Sequence, residues 1–483
     1  MILELTASRA MAPILGSSLY TWTAVIGVVL AGLSLGAYIG GKYIDKKPLI
    51  LTLQKTLYIS GGSVCVMMFL FPAMYTVALL PLSIPFLATG IASLLFFVPA
   101  TLLGAIQPMV VKLSTDGVVH LGRSYGTLSA LWSLGSIIGV FVSGFFLIPY
   151  LGTAKTFLLV ALILFVSAIM LMKKRIVPIA IFFLLLIPVS LISIPNGKHV
   201  LFSKDTGYFR ALVAEAYVQP FGNTRIFFLD IDTHSILRGT TTVPIYTDIT
   251  RLFSKGVTAS SSTLVIGGGA YTMPNDLARN TPASVDVYEI DPEVPLIVEK
   301  YFTLDPKITT TIGDARTLLR KDKGTYDIIV GDSFNSYLSV PWHLLTKEFN
   351  RDITQRLAPE GIYAVNVISP IVGEGSALYR SVDRTLRQTF SFVEAYRFGE
   401  DSKDIQNIVF LASQTPLDRW LALGKETAVL SGKAEVFENR RIHVAPTSGI
   451  VLTDDHAPTD TMLLPIAKRA LPSSIGLYHA MTH

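Results

Sequence analysis

The chain has 483 residues, 51% of them hydrophobic and only 16% charged, with a mean hydropathy of +0.51. It is too apolar for an ordinary water-soluble protein and long enough for more than one domain. A net charge of +5 is too small to argue for a nucleic-acid partner, and the single cysteine, Cys65, excludes an intrachain disulfide or a cysteine-based metal site.

The charges fall into two regimes. Lys55 is the only charged residue between Lys47 and Lys112, Lys155 is the only one between Arg123 and Lys173, and 176–197 carries none. After Gly197 the composition becomes that of a globular protein. The expected architecture is therefore an α-helical multi-pass membrane domain over 1–197, followed by a small β-hairpin region over 198–258. An α/β domain over 259–483 completes it.

The first residues, MILELTASRAMAPILGSS, lack a signal-peptide pattern and predict a short amphipathic or partly embedded helix. Within it Glu4 and Arg9 are expected to pair with each other or to snorkel. Six apolar runs are long enough for a ~30 Å hydrocarbon core, near 18–41, 51–78, 83–112, 124–148, 153–172 and 176–195. Small residues at Gly32, Gly36 and Gly40, and at Gly135, Gly139 and Ser143, predict two close helix contacts. Pro72, Pro81, Pro85, Pro99 and Pro108 are expected to kink or end helices. The basic loops at 42–47, 112–123 and 173–175 share one side, which the positive-inside rule makes cytoplasmic. The protein is thus expected in the cell membrane, with the lipid bilayer as a partner. If 176–195 crosses, the second half is extracytoplasmic; if it lies in the interface, that half is cytoplasmic.

From about 205 the pattern changes. YFRALVAEAYV and TRIFFLDID flank QPFGN and read as a hairpin. A helix over 245–253 is expected next. The stretch 264–291 then gives a strand, the glycines Gly267, Gly268 and Gly269, a helix, and a strand ending in Glu289 and Asp291. The glycines permit a sharp turn close to a ligand, and the acid can accept both hydroxyls of a ribose. Helices at 292–302, 314–321, 343–357 and 376–390 alternate with strands at 307–312, 326–331 and 361–367, and strands at 391–398 and 406–412 follow. That alternation predicts a Rossmann-like, mostly parallel sheet.

Four strand ends in succession carry polar groups: the glycine turn, Glu289 with Asp291, Gly313-Asp314-Ala315, and Asp332-Ser333. Ligands of open α/β sheets lie outside those ends. Asp314 either accepts from an exocyclic amine of a base or caps the helix beginning at Ala315, or does both. Asp332 is expected to point into the pocket. His234 is either pocket-facing or a surface strand residue. The run Asp454-Asp455-His456, with Asp460, lacks a metal-loop pattern, so no metal is expected and a pocket-closing loop is preferred.

The glycine turn, YEID, GDA and YDIIVGDS resemble the polyamine aminopropyltransferases (spermidine synthases) over about 205–412. The N-terminal region, DSFNSYLSVPWHLLT and VLTDDHAPTD resemble membrane-fused members of that group, which usually have one more N-terminal span. The resemblance implies a class I methyltransferase-type fold with decarboxylated S-adenosylmethionine as co-substrate. Glu289 would bind its ribose, Asp314 with Ala315 its adenine, and Asp332 would be the general base toward an amine acceptor. The sequence departs from the family at the amine end. Ala270 and Asn335 stand where acids are usual, Tyr246-Thr247 replaces a Tyr-His pair, and His234 replaces a glutamine. His234, Tyr246 and Asn335, with Asp454 and Asp455, are the expected substrate side, for an amine or another nucleophile. Two alternatives remain: a methyltransferase using S-adenosylmethionine, or a membrane transporter or sensor that binds a nucleoside or polyamine. A homo-oligomer is expected.

Overall fold

The computed structural model describes residues 1–114, 121–171, 199–219, 222–238, 241–242, 257–333, 337, 339–422, 439–443, 446 and 448–482. Two compact units emerge. The first holds 1–197 with 203–210 and the last two residues; the second holds 198–202 and 211–481.

In the first unit, α1 (Ile2–Leu15) is largely buried, with Leu3, Ala7, Met11 and Leu15 turned inward. Its Arg9 guanidinium donates to the carbonyls of Thr206 and Tyr208 within the same unit, so backbone oxygens take the place of the expected Glu4 partner. Helix α2 (Leu19–Lys46) starts at Ser18, whose hydroxyl accepts from the Thr21 N–H. Helices α3 (Ile50–Phe69) and α4 (Phe71–Ala78) form one run bent by 49°, with Pro72 just past the break. Then come α5 (Ile84–Leu113), α6 (Leu121–Val142), a π-helical turn over Ser143–Leu151, and α7 (Gly152–Met170).

Among the described residues, three helical stretches are long and apolar enough to cross a membrane, or four if the bent pair counts as one span. The expected runs 124–148 and 153–172 merge into a single stretch, 122–170. The π-turn and Gly152, at φ +79°, mark its interior instead of a polar loop. The sixth expected span, 176–195, lies outside the described residues, as does the helix expected over 245–253.

The first small-residue stripe packs as expected. A Cβ on Gly36 would lie 1.9 Å from the Thr101 carbonyl oxygen, and one on Gly40 would lie 2.6 Å from Ala105 Cα, so α2 and α5 touch backbone to backbone. Among the described residues the second stripe makes no such contact: Gly135 has nothing within 4 Å, and Gly139 meets Ile2 of α1.

From Val200 the chain forms an antiparallel sheet larger than the expected hairpin. Its order is β1 (Val200–Asp205), β2 (Arg210–Val218), β3 (Gly222–Leu229), β4 (Asp232–Arg238) and β5 (Thr241–Thr242). The added partners follow from alternation in DTHSILR, where Asp232 and Ser235 face inward across a bulge at His234.

The main sheet has seven strands: β6 (Ser262–Ile266), β7 (Ser284–Glu289), β8 (Ile308–Ile312), β9 (Tyr326–Gly331), β10 (Leu357–Ser369), β11 (Phe392–Arg397) and β12 (Gln406–Ser413). Their order is β8-β7-β6-β9-β10-β12-β11, with β12 antiparallel to both neighbours and the pairs from β8 to β10 parallel. The chain reverses direction from β6, first toward β7 and β8 and then toward β9, so the crevice at the ends of β6 and β9 is the topological switch point. Leu264, Val265 and Ile266 are each no more than 1% exposed, which explains why this central strand reads as an unbroken apolar run.

Helices α8 (Thr272–Asn280), α9 (Glu293–Tyr301), α10 (Ala315–Lys321), α11 (Lys347–Thr354) and α12 (Ala377–Arg387) connect the strands. The helix expected over 343–357 is split because Thr346 caps α11, its hydroxyl accepting from the Phe349 N–H. A last helix, α13 (Thr459–Thr482), was not foreseen. It buries Leu463, Ile466, Ala467, Ala470, Leu471, Ile475 and Tyr478.

Candidate active site

The site grows from the turn after β6. Gly267 has φ +95°, and a Cβ there would lie 2.4 Å from the Asp332 carbonyl oxygen. Its N–H donates to the Tyr288 carbonyl at 2.9 Å, and the Asp332 N–H donates to Ile266 at 2.9 Å. Three strand ends are thereby tied together through backbone. Gly269, at φ +54°, and Tyr271, at φ +56°, then turn the chain into α8. The Tyr271 ring lies under Gly268, and its hydroxyl is 3.1 Å from Thr310 Oγ1 on β8.

Glu289, at the end of β7, accepts from the Gly268 N–H at 2.8 Å through Oε2 and from the Asp291 N–H at 3.0 Å through Oε1. Burial pushes its pKa up, the two N–H groups pull it back in part, and the charge of Asp291 adds to the rise. Each carboxylate oxygen can accept more than once, so bracing the turn leaves capacity for a ligand hydroxyl. Asp291 is fully buried and caps α9, its Oδ1 accepting from the Glu293 N–H at 3.0 Å.

Asp314 is the cap of α10, accepting from the N–H and the hydroxyl of Thr317. Its other oxygen lies 2.9 Å from His343 Nε2. Burial alone would raise its pKa, but the Thr317 and His343 bonds outweigh it and hold the carboxyl below its ordinary value. Ala315 is buried behind it. His343 and Arg316 carry no signal in the sequence pattern, yet both shape this corner. Arg316, 8% exposed, makes a two-pronged pair with Asp454 at 2.8 Å on each oxygen and reaches Asp352 at 3.3 Å. Asp454 also accepts from the Thr346 hydroxyl at 2.8 Å, and the Arg316 bond holds its pKa below the ordinary value. The loop of Asp454 is therefore clasped to α10 and α11, while Asp455 is exposed in a tight turn closed by Thr453 and His456.

Asp332 follows β9 directly. Its Oδ1 accepts from Asn366 Nδ2 on β10 at 2.9 Å, and Asn366 Oδ1 accepts from Asn407 Nδ2 on β12 at 3.0 Å. Asn366 is 4% exposed. This relay fixes the carboxylate against Asn366, which itself lines a small cleft with Ile266, Gly331, Ser333, Val340 and Tyr363. Replacing Asn366 by Ala is expected to lower turnover about 10-fold to 100-fold, the worth of a hydrogen bond to a charged group, without changing the Km for the nucleoside donor. A Km rise with unchanged kcat would show that Asn366 does not position Asp332.

His234 sits at the β4 bulge and is half-buried, while Ser235 beside it reaches Thr272 Oγ1 at 3.3 Å. Tyr246 and Asn335 lie outside the described residues. The structure thus gathers Gly267–Gly269, Glu289, Asp314 and Asp332 at one sheet edge, and places Asp291 and Asp454 in capping and clasping bonds. Among the described residues no group of three or more His, Cys, Asp or Glu side chains has metal-binding geometry.

Residues 247–398 match the family model for the spermine/spermidine synthase domain. The second unit carries a spermine/spermidine synthase domain. A polyamine aminopropyltransferase of Vibrio vulnificus is 35% identical over 182 residues, covering 36% of this chain and 57% of the relative. An N-terminal histidine N-methyltransferase of Emericella nidulans is 30% identical over 165 residues, covering 32% of this chain and 29% of the relative. The chain thus spans little more than half of the first relative and under a third of the second. A solved structure of a probable spermidine synthase from Corynebacterium glutamicum aligns at 16% identity and a TM-score of 0.39, over 52% of this chain and 96% of that one.

Proposed function

We propose that the chain is a membrane-bound aminopropyltransferase that moves an aminopropyl group from decarboxylated S-adenosylmethionine to an amine, releasing methylthioadenosine. The observation that carries this reading is Asp332, held by Asn366 at the switch point and welded through backbone to the glycine turn. The cradle at Gly267, which a Cβ would fill, fits close approach of a nucleoside. The sulfonium donor supplies an electrophilic carbon and a neutral thioether leaving group. The protein's part is positioning and proton removal. Glu289 holds the ribose hydroxyls and braces the turn against the strand end. Asp314, set by Thr317 and His343, presents the edge that meets the base, with Ala315 behind it. Asp291 keeps this wall rigid by capping α9. Asp332 takes a proton from the acceptor's ammonium, freeing the nitrogen lone pair that then bonds to carbon as the carbon–sulfur bond breaks and its electrons leave with sulfur. His234 and Asp455 are assigned to the acceptor side, and Asp454 closes it through Arg316.

The uncharged, buried Ala270 beside the glycine turn favours a second reading, methyl transfer from S-adenosylmethionine. Product analysis separates the two. Full-length protein in detergent, given each donor with a panel of amines, is expected to release methylthioadenosine. Release of S-adenosylhomocysteine alone would replace this reading with the second.

A further inference from the structure

Asp314 has less acceptor capacity to spare than its exposure suggests. A carboxylate offers about four lone-pair directions, about two on each oxygen. Oδ1 spends its share on Thr317, accepting from the N–H at 2.9 Å and from the hydroxyl at 2.8 Å. Oδ2 accepts from His343 Nε2 at 2.9 Å. What is left lies on Oδ2, and the imidazole sets where it points. Burial pulls the pKa of Asp314 up, but the Thr317 and His343 bonds win and keep the carboxyl ionised. An ionised carboxylate only accepts, so Nε2 carries the proton of this bond.

The imidazole is presented by a fixed turn. His343 sits in a short 3₁₀ turn, Trp342–Leu344, whose Leu344 and neighbour Leu345 are buried in the core of the main sheet. Their N–H groups close the turn, donating at 2.9 Å to the carbonyls of Pro341 and Trp342. The Trp342 ring meets the imidazole edge to face, with centroids 5.9 Å apart. Imidazole and carboxylate are 34% and 35% exposed, so a planar ligand has access to both. A pair that open to water adds little to stability, so folding alone does not call for it. Its place in the chain says what meets it. Gly313, next to Asp314, donates its N–H to the Glu289 carbonyl at 2.8 Å. A nucleoside held by its ribose at Glu289 can therefore lay its base against Asp314, and the remaining lone pair on Oδ2 takes only a donor.

We propose that His343 is a specificity-determining residue, orienting Asp314 so that its last acceptor site takes the exocyclic amine of the donor's base. This rests on the reading of Asp314 as the residue that meets the base. Both candidate donors carry the same base, so the test is independent of which group is transferred. Full-length protein in detergent is titrated calorimetrically with methylthioadenosine and with its analogue in which hydrogen replaces the exocyclic amine. The wild type is expected to bind methylthioadenosine at least about 10-fold more tightly than the analogue, the worth of a hydrogen bond to a charged group. In His343→Leu that ratio falls to about threefold or less through weaker binding of methylthioadenosine, while affinity for the analogue is kept. His343→Gln, whose amide N–H stands in for that of Nε2, restores the ratio. Both variants should melt within about 2 °C of the wild type, because a partly exposed pair carries little stability. Should His343→Leu fold poorly, His343→Ala takes its place. The proposal is overturned if the variant keeps the wild-type ratio, weakens both nucleosides equally, or binds methylthioadenosine more tightly than the wild type does. In the first of these cases Asp314 reads the base without His343. A wild type that binds methylthioadenosine no better than the analogue overturns the proposal and the role of Asp314 together.

Discussion

Asp332→Asn is expected to lower the rate of aminopropyl transfer about 10²-fold to 10⁴-fold, the usual contribution of a placed general base. The amide retains the volume and can still accept from Asn366 Nδ2, so the relay through Asn366 and Asn407 survives. What is lost is the ability to take a proton from the attacking ammonium. Affinity for methylthioadenosine, read by calorimetry, should stay within about twofold, because the glycine turn and Glu289 are untouched. The loss should therefore lie in kcat. A variant that turns over as fast as the wild type would remove Asp332 from the chemistry. One that loses nucleoside affinity instead would make it a binding residue.

The parts of this site that are legible in the sequence share one property: each is local. The strand ends at Ile266 and Gly331 show as apolar runs stopped by glycine, since parallel strands buried on both faces need continuous apolar sequence, while the strand ending at Glu289 and the exposed edge strand Ile308–Ile312 show by their β-branched residues and the acid or glycine that follows. Asp314 as a cap is local in the same way, three residues from its partner Thr317. The residues that orient the site are not local. Arg316 meets Asp454 across 138 positions, Asn366 meets Asp332 across 34, and His343 meets Asp314 across 29. Nothing at single positions announces these partners, because a buried Asn or Arg has the same composition signature as an exposed one. Helix α13 is a different failure. Its inward residues follow helical spacing from Leu463 to Tyr478, but Pro465 and Pro472 read as breakers. The helix persists because its apolar face is buried from end to end, which outweighs two lost backbone bonds. In the first unit the error runs the other way. Hydropathy counts segments, and the π-turn at 143–151 joins two of them without a charged residue to mark the boundary.

Gly267→Ala should damage both stability and catalysis more than any other single substitution in the turn. The backbone at φ +95° lies where a side chain is strained, and the added Cβ would sit 2.4 Å from the carbonyl oxygen of Asp332. That neighbour is backbone at the end of a central strand and cannot rotate away. Either the turn lifts off β9 or β9 shifts, and each breaks the ties from Gly267 to Tyr288 and from Asp332 to Ile266. Strain and lost hydrogen bonds together should cost about 3 kcal/mol of stability. A displacement of about 1 Å at Asp332 would by itself lower turnover on the order of 10²-fold. Gly269→Ala is the control. At φ +54° with only Ser235 Oγ at 3.8 Å, it pays left-handed strain without a clash, about 1 kcal/mol, and Asp332 does not move. The two variants should therefore separate clearly in melting temperature and in kcat. If Gly267→Ala melts and turns over like Gly269→Ala, the glycine turn is not what holds the base in place, and the coupling between nucleoside cradle and Asp332 must be sought in the Asn366 relay alone.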